Sequence, residues 1–340
     1  MRVGSNPTKV DKELVISSYH RVVVPVYIPN TEEDYFKEAL PILKYSLQSL
    51  LKTIHKNTRI SIINNGCCTL VTEYLKKIKF ENEAIDQLLE SDINLGKINA
   101  IYSAVKSNIE PLITVTDADV LFLNNWQEAV EQVFVDFPKA GMVAPVPAPV
   151  AYKSSYVNST FYYGFFNRLF KFDTVVNPNA LKQFQESIGT HLFKNIHFKS
   201  YLVLQKKKKK AAMGCGHFVV TMRSQVFEKA PSRPTKFKIG GESLKRYIDE
   251  PNDKAGYLRL ATMDCYARHL GNKEEAWMKP MFDALTTSDN FGNEAAINFN
   301  SKGISKFSQF IGKVLYRVII RNNSLRRIYF RSKGMKNSEF

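Results

Sequence analysis

The sequence predicts an α/β fold built on a mostly parallel central sheet. Short apolar runs rich in β-branched residues recur through the first 150 residues, each closed by a turn signal. Between them lie stretches whose apolar residues repeat at helical spacing. Such alternation places parallel strands at the centre and helices on both faces. A third observation supplies the organising point. In the stretch LITVTDADVLFL, residues 112 to 123, the first half, Leu112 to Val115, reads as a buried strand closed by two carboxylates, Asp117 and Asp119, with another apolar run after them. In an open α/β sheet, ligands bind beyond the carboxyl ends of the strands.

The elements follow in order. Residues 20–26, HRVVVPV, form a first buried strand, broken by Tyr27, Pro29 and Asn30. Phe36, Leu40, Leu43, Leu47, Leu50, Leu51 and Ile54 mark a helix over 34–54. Residues 59–63 form a second strand, ended by the turn signal Asn64-Asn65-Gly66. A helix covers 70–78, residues 85–89 are ambiguous, and Asn94-Leu95-Gly96-Lys97 opens a helix through Val105. After the strand at 112, a helix spans 126–134 and a strand 141–146. The second half is aromatic over 152–172, and a further exposed helix is expected over 184–198. Five lysines, Lys206 to Lys210, interrupt two apolar runs and read as a solvated hairpin tip. A strand led by Gly214-Cys215-Gly216 follows, then a helical stretch through Leu244, Tyr247 and Ile248, and an alternating segment over 256–272.

Composition sets limits. At 340 residues the chain has room for one large domain or two modest ones, with ample core. No run of about eighteen apolar residues occurs, so no membrane-spanning helix is expected. The N-terminal residues lack the apolar core of a signal peptide. The four cysteines have no zinc-site spacing and read as reduced thiols of a cytosolic protein. Net charge is +16 and uneven: residues 301–340 hold ten Lys or Arg against one Glu339. Basic patches suit anionic lipid, nucleic acid or phosphorylated substrates.

Two adjacent carboxylates at a strand tip repel unless a cation lies beside them. A hard divalent ion carrying substrate phosphates answers that need. No Gly-x-x-x-x-Gly-Lys-Ser is present, which leaves a P-loop unsupported. Gly214-Cys215-Gly216 lacks the third glycine and the acid of a dinucleotide fingerprint.

Four pieces in sequence carry a resemblance: Val23-Val24-Pro25-Val26-Tyr27, Ile62-Ile63-Asn64-Asn65-Gly66, Asn94-Leu95-Gly96-Lys97 and Thr116-Asp117-Ala118-Asp119. Together the series resembles a family 2 glycosyltransferase of the GT-A fold, over about residues 22–272. The resemblance implies a Rossmann-like, nucleotide-sugar-binding domain over 18–300, with a nucleotide half to about 150 and an acceptor half to about 300. It implies transfer of a sugar from a nucleotide-diphosphate sugar to an acceptor hydroxyl, with inversion, on Mn²⁺ or Mg²⁺. By the same resemblance, Pro25, Tyr27, Asn64, Asn65, Lys97, Asp117 and Ala118 meet the nucleotide-sugar, and Asp119, Asp117 and His269 form the metal site. Asn64 stands where the family usually has Asp; an amide can still pair with a base edge. Glu242, in Gly240-Gly241-Glu242-Ser243, takes the place of the catalytic base, with Asp249, Asp253 and Asp264 in reserve. A nucleotidyltransferase shares the sheet and the strand-end metal, but usually has a glycine-rich basic loop after its first strand, which Tyr27-Ile28-Pro29-Asn30 is not. A non-catalytic basic protein is the other alternative, although no nucleic-acid-binding motif is visible.

The tail over 301–340 reads separately. Ile304, Phe307, Ile311, Val314, Leu315 and Val318 recur at helical spacing on one face, and Lys306, Lys313, Arg317 and Arg321 on another. A basic amphipathic helix of this kind lies in the plane of an anionic membrane surface. The expected setting is the cytoplasmic face of the plasma membrane, with saccharide or lipid-linked acceptors of surface polysaccharide or glycolipid synthesis and no nucleic-acid partner.

Overall fold

The computed structural model describes residues 3, 4, 6, 9, 13–240 and 242–335. Gly241, Lys336 and Glu339 lie outside the described residues. The first half alternates as expected: β1 (His20–Val26), α1 (Ala39–Thr53), β2 (Thr58–Asn65), α2 (Thr69–Glu81), β3 (Ile85–Ser91), α3 (Lys97–Val105), β4 (Leu112–Thr116), β5 (Val120–Phe122), α4 (Trp126–Asp136) and β6 (Ala140–Ala144). The second half adds α5 (Asn158–Phe166), β7 (Phe170–Thr174), α6 (Pro178–Ser187), β8 (Ser200–Lys206), β9 (Lys209–Met213), β10 (Val219–Arg223) and α7 (Ser224–Phe227). It continues with α8 (Glu250–Lys254), β11 (Leu258–Ala261), β12 (Ala267–His269), α9 (Met278–Asp283), α10 (Lys306–Ile320) and α11 (Asn323–Ser332).

Ten strands form one sheet in the order β3-β2-β1-β4-β10-β6-β11-β9-β8-β7. β1, β2, β3, β4, β6, β8 and β11 run one way and β7, β9 and β10 the other, so the sheet is mostly parallel. The central strands are dry on both faces: all of β4 and β6 is buried. One face packs against α1, α2, α4 and the two tail helices, through residues such as Leu43, Leu75, Phe134, Tyr316 and Phe330. The other packs against α3 and the π-helical turn at Lys245–Asp249, through Ile98, Ile101, Tyr247 and Ile248.

Some sequence expectations change. The helix expected from residue 34 begins at Ala39, with Pro41 in its first turn, where a missing N–H costs nothing. The ambiguous stretch at 85 is an edge strand parallel to β2. The apolar run after Asp119 is a short strand of its own. It is β5, which pairs antiparallel with β12 in a separate ribbon. The helix expected over 184–198 ends at Ser187, before Gly189, whose φ is +62°. The lysine run forms the β8–β9 hairpin tip as read, with Lys209 and Lys210 paired to Asp136 and Asp173.

Where β1 and β2 begin lies a sealed polar cluster. The Glu131 carboxylate accepts hydrogen bonds from Tyr19 Oη at 3.0 Å and pairs with His55 Nε2 at 2.9 Å and His20 Nδ1 at 3.3 Å. Thr114 and Thr58 take the second nitrogens of His20 and His55. Two imidazoles and a carboxylate match metal ligands in type, but every ligand atom already has a protein partner. The cluster is structural. Burial works against the Glu131 carboxylate, yet the hydrogen bonds from His20 and His55 outweigh it and hold its pKa at about 2. Burial lowers the His20 imidazole below its ordinary value. Both depressed groups contribute stability that is complete above their unfolded values, 6.5 and 4.5, and is lost as the pH falls through them. Glu131→Ala strands two buried imidazoles, and we expect it to cost about 3–5 kcal/mol. The urea midpoint at pH 7 measures that loss, and the wild-type midpoint should fall progressively from about pH 6.5 down to about pH 2, where the Glu131 carboxylate is protonated in the folded protein.

Candidate active site

The cleft opens at the carboxyl ends of β1 and β4. Asp117, Ala118 and Asp119 form the turn between β4 and β5, and backbone hydrogen bonds pin that turn from both sides. The Asp117 N–H donates to the Phe218 carbonyl at 2.7 Å, next to β10. The Asp119 carbonyl accepts the Leu270 N–H at 2.7 Å, next to β12. The ribbon register sets His269 opposite Val120, so the histidine arrives beside Asp119.

Ligand atoms of Asp117, Asp119 and His269 lie within 4.8 Å of one another. His269 Nε2 is 3.5 Å from Asp119 Oδ2. Its other nitrogen, Nδ1, sits 3.0 Å from Ser187 Oγ, which fixes the ring with Nε2 toward the carboxylate. Phe184 and Phe218 hold the same imidazole edge-on, with ring centroids 6.0 and 5.6 Å away. Asp117 pairs closely with the Lys97 ammonium. Asp119 Oδ1 is buried and has no hydrogen-bond partner. Burial raises the Asp119 carboxyl above its ordinary value and the Asp117 charge adds to this, against the opposing pull of His269 and Lys97. An orphaned carboxylate oxygen facing a second carboxylate and an oriented imidazole fits a hard-to-borderline divalent ion, Mn²⁺ or Mg²⁺, with the imidazole favouring Mn²⁺.

The cleft has a volume of about 370 Å³. Pro25, Tyr27, Asn65, Lys97, Asp117, Ala118 and Asp119 line it. Asn64 does not. Its Nδ2 donates to Thr72 Oγ1 and its Oδ1 accepts the Cys67 N–H, so its amide is spent on the turn into α2. Asn65 is also partly engaged: its Oδ1 accepts the Leu95 N–H at 2.8 Å and its Nδ2 meets Asn94 Oδ1 at 3.1 Å. That pair fixes the loop that delivers Lys97 to the first turn of α3. Gly96 adopts φ +84°, and a Cβ there would press on Lys238 Cα at 2.8 Å. The glycine thus lets the 237–239 segment close over the loop, and it brings Ile239 into the cleft wall. Sequence reasoning passed over Tyr35, Phe36, Ile239 and Asn272, all of which line the cleft. The signal for the first two was an aromatic pair just past the break after β1.

The four acidic candidates separate by environment. Asp249 is buried, 2.7 Å from His217 Nε2 and 3.0 Å from Arg259 Nη1. Asp253 accepts Asn158 Nδ2 and the Ser159 N–H, anchoring the start of α5. Asp264 lies in the turn between β11 and β12, not on a strand face, and accepts the Cys265 N–H. Glu242 is exposed, at φ +57°, and pairs with Lys245 at 2.9 Å. None of the four lines the cleft; Glu242 is three residues from Ile239, which does.

No protein-family model matches the chain, and no curated protein matches it. Solved structures similar to it include the mannosyltransferase PcManGT from Pyrobaculum calidifontis in complex with GDP-Man and Mn²⁺, at 14% identity and a TM-score of 0.41. That likeness covers 74% of this chain and 58% of the other. S. aureus TarS 1–349 in complex with UDP-GlcNAc is similar at 11% identity and a TM-score of 0.42, over 76% of this chain and 60% of that one. GalNAc-T7 with UDP, GalNAc and Mn²⁺ is similar at 12% identity and 0.48, over 75% and 43%. The chain thus spans less than two thirds of the length of each of these three. Overlaps this partial leave the chemistry to be judged from the cleft.

Asp119 carries a charge the metal-free fold disfavours. Asp119→Asn should therefore raise the melting temperature of the metal-free protein, because it removes a buried repulsion. Mn²⁺ should raise the wild-type melting temperature and leave that of the variant unchanged. Thermal scans with and without Mn²⁺ check both halves.

Proposed function

We propose that the protein is a metal-dependent GT-A glycosyltransferase that moves a sugar from a nucleotide-diphosphate sugar to an acceptor hydroxyl with inversion. The observation that carries this is that Asp117, Asp119 and Lys97 line one cleft at the strand ends with His269 beside the two aspartates, and that Asp119 Oδ1 is buried and unpaired. The ordered sequence pieces around Pro25, Asn65, Lys97 and Asp117 meet in that same cleft.

Asp119 and His269 would hold a divalent ion, and Asp117 would meet it or the ribose; such an ion would supply positive charge for the leaving diphosphate. Lys97 supplies a second positive charge from the first turn of α3, where the helix N-terminus also favours anions. Tyr27 and Phe36, with ring centroids 6.0 Å apart, offer flat surfaces beside the donor. Glu242 takes the acceptor proton. It alone among the four acids has a carboxylate held only by a surface ion pair, whereas internal partners hold the other three. Activity follows from release of nucleoside diphosphate across a panel of nucleotide-sugars with Mn²⁺ or Mg²⁺. No release from any donor would reject the proposal. Glu242→Gln should lower turnover by ~10²-fold or more with donor affinity unchanged. Full turnover in that variant moves the base elsewhere.

We further place the enzyme at the cytoplasmic face of an anionic membrane, where surface-polysaccharide or glycolipid acceptors gather. α10 has two apolar faces. Gly312, Tyr316 and Ile320 are buried, and at Gly312 a Cβ would collide with the Asn158 carbonyl of α5. Phe307, Phe310, Val314 and Val318 form the other face, with Phe307 73% and Phe310 64% exposed. In α11, Leu325 and Ile328 extend this exposed surface. No helix among the described residues is long and apolar enough to cross a membrane. An exposed stripe flanked by Lys and Arg suits the interface instead, each cation contributing about 1 kcal/mol near anionic lipid. Replacing Phe307, Phe310, Val314 and Val318 together by Ser should reduce co-sedimentation with anionic vesicles at least tenfold and leave the fold intact, since these side chains face water. Equal sedimentation of the two proteins would reject the membrane placement.

A further inference from the structure

A second recess, roomier than the cleft at Asp119, lies elsewhere in the fold. It is a groove of about 690 Å³ between the start of α5, α8 and α10. Seven of its lining residues are charged: Lys254, Lys306, Lys313, Arg317 and Arg321 against Glu250 and Asp253. Both acids are already engaged. Glu250 pairs with Lys254 at 2.9 Å. The Asp253 carboxylate is taken up by Asn158 and the Ser159 N–H. That leaves Lys306, Lys313, Arg317 and Arg321 facing the groove, with no ion pair to any of them among the described residues. Arg321 donates to Ser155 Oγ at 3.2 Å, which steadies it at the groove wall.

Lys313, Arg317 and Arg321 stand at successive i, i+4 positions of one helix face. Like charges at that spacing destabilise a helix by a few tenths of a kcal/mol per pair. A helix that only needed to pack on α5 through Gly312 and Tyr316 has no use for that repulsion. A phosphate relieves it, and two arginine forks can grip phosphate oxygens in pairs. The neighbourhood adds direction. Tyr156 also lines the groove, and after burial its phenol is raised chiefly by the carboxylates of Glu250, Glu242 and Asp249. Glu250 lines the groove and directly follows the turn at Lys245–Asp249, which begins three residues after Glu242. Phe310 lies at its edge and belongs equally to the exposed apolar stripe, so one ligand can reach both surfaces.

We propose that the groove between α5, α8 and α10 binds the phosphate or diphosphate group of the acceptor, held by Lys306, Lys313, Arg317 and Arg321. Calling that ligand the acceptor rests on the glycosyltransferase reading; the phosphate site itself does not. The site makes the acceptor an anionic one, carrying phosphate on a lipid or along a saccharide chain.

The test uses the full chain with inorganic pyrophosphate as probe, in the presence of chelator so that the metal site cannot hold it. Calorimetry should show binding to wild type, unchanged in Asp119→Asn and weakened at least tenfold in Arg317→Gln/Arg321→Gln. Both arginines are exposed, and thermal scans should find the double variant folded. Binding that survives in the double variant, or that disappears in Asp119→Asn, overturns the groove site. Absence of binding to wild type overturns it as well. A second arm compares vesicles containing phosphatidic acid with a soluble phosphorylated saccharide. Loss of vesicle binding in the double variant identifies a lipid-borne phosphate, and loss of saccharide binding alone identifies a chain-borne one. Retention of both overturns the proposal. A third arm measures nucleoside diphosphate binding with Mn²⁺, which the double variant should keep. If wild type binds no nucleoside diphosphate but does bind pyrophosphate through the arginines, the transferase reading fails and the phosphate site stands.

Discussion

Two carboxylates at the tip of a dry strand repel one another, and much of the surrounding structure answers that repulsion. Lys97 arrives from a glycine-bent loop to pair with Asp117. His269 arrives from a ribbon strand and faces Asp119. The answer is incomplete, because Asp119 Oδ1 is left buried without a partner. The sealed cluster at Glu131 makes an instructive contrast. It too joins a carboxylate with imidazole nitrogens, yet every ligand atom there is satisfied from within. Residue type is nearly the same in the two places. Access and unsatisfied valence separate a site from a brace.

The parallel half of the sheet was legible in the sequence because burial on both faces demands continuous β-branched runs, and turns must interrupt them. β1, β2, β4 and β6 follow directly from Val22–Val26, Ile60–Ile63, Leu112–Val115 and Met142–Ala144. Asp117, Asp119 and Lys97 were legible for the same reason: a strand end and a helix start fix their place. Asn64 was misread because a base-pairing amide and a turn-bracing amide are the same group. Only the positions of Thr72 and Cys67 decide between them. The β5–β12 pairing rests on three residues from each strand, too few to leave a pattern. Tyr35 and Phe36 joined the cleft through a loop whose path no periodicity records.

The tail shows a different limit. Helical spacing reads the tail as one amphipathic face, whereas α10 carries more than one apolar stripe. Which stripe meets the domain depends on where two backbones can touch. Gly312 against α5 settles it, turning Tyr316 and Ile320 inward and leaving Phe307 and Val314 outside. The same rotation sets Lys306, Lys313, Arg317 and Arg321 along the recess beside α8, exposed and next to the outer stripe. A single glycine thus sets how the apolar and charged faces of this helix divide between domain, groove and solvent.

The ribbon that carries His269 has a consequence for assembly. β1 to β3 can form as neighbouring strand–helix units soon after they leave the ribosome, because β1 pairs with β2 and β2 with β3, each close in sequence. His269, however, lies 150 residues beyond Asp119 and reaches it only when β12 pairs with β5. The antiparallel β10, wedged between β4 and β6, must also be placed before the Phe218 carbonyl can pin Asp117. A nascent chain holding only the first half therefore displays both acids without their histidine or their clamp. A cation held by all three residues would therefore bind the folded protein and take no part in nucleating the sheet.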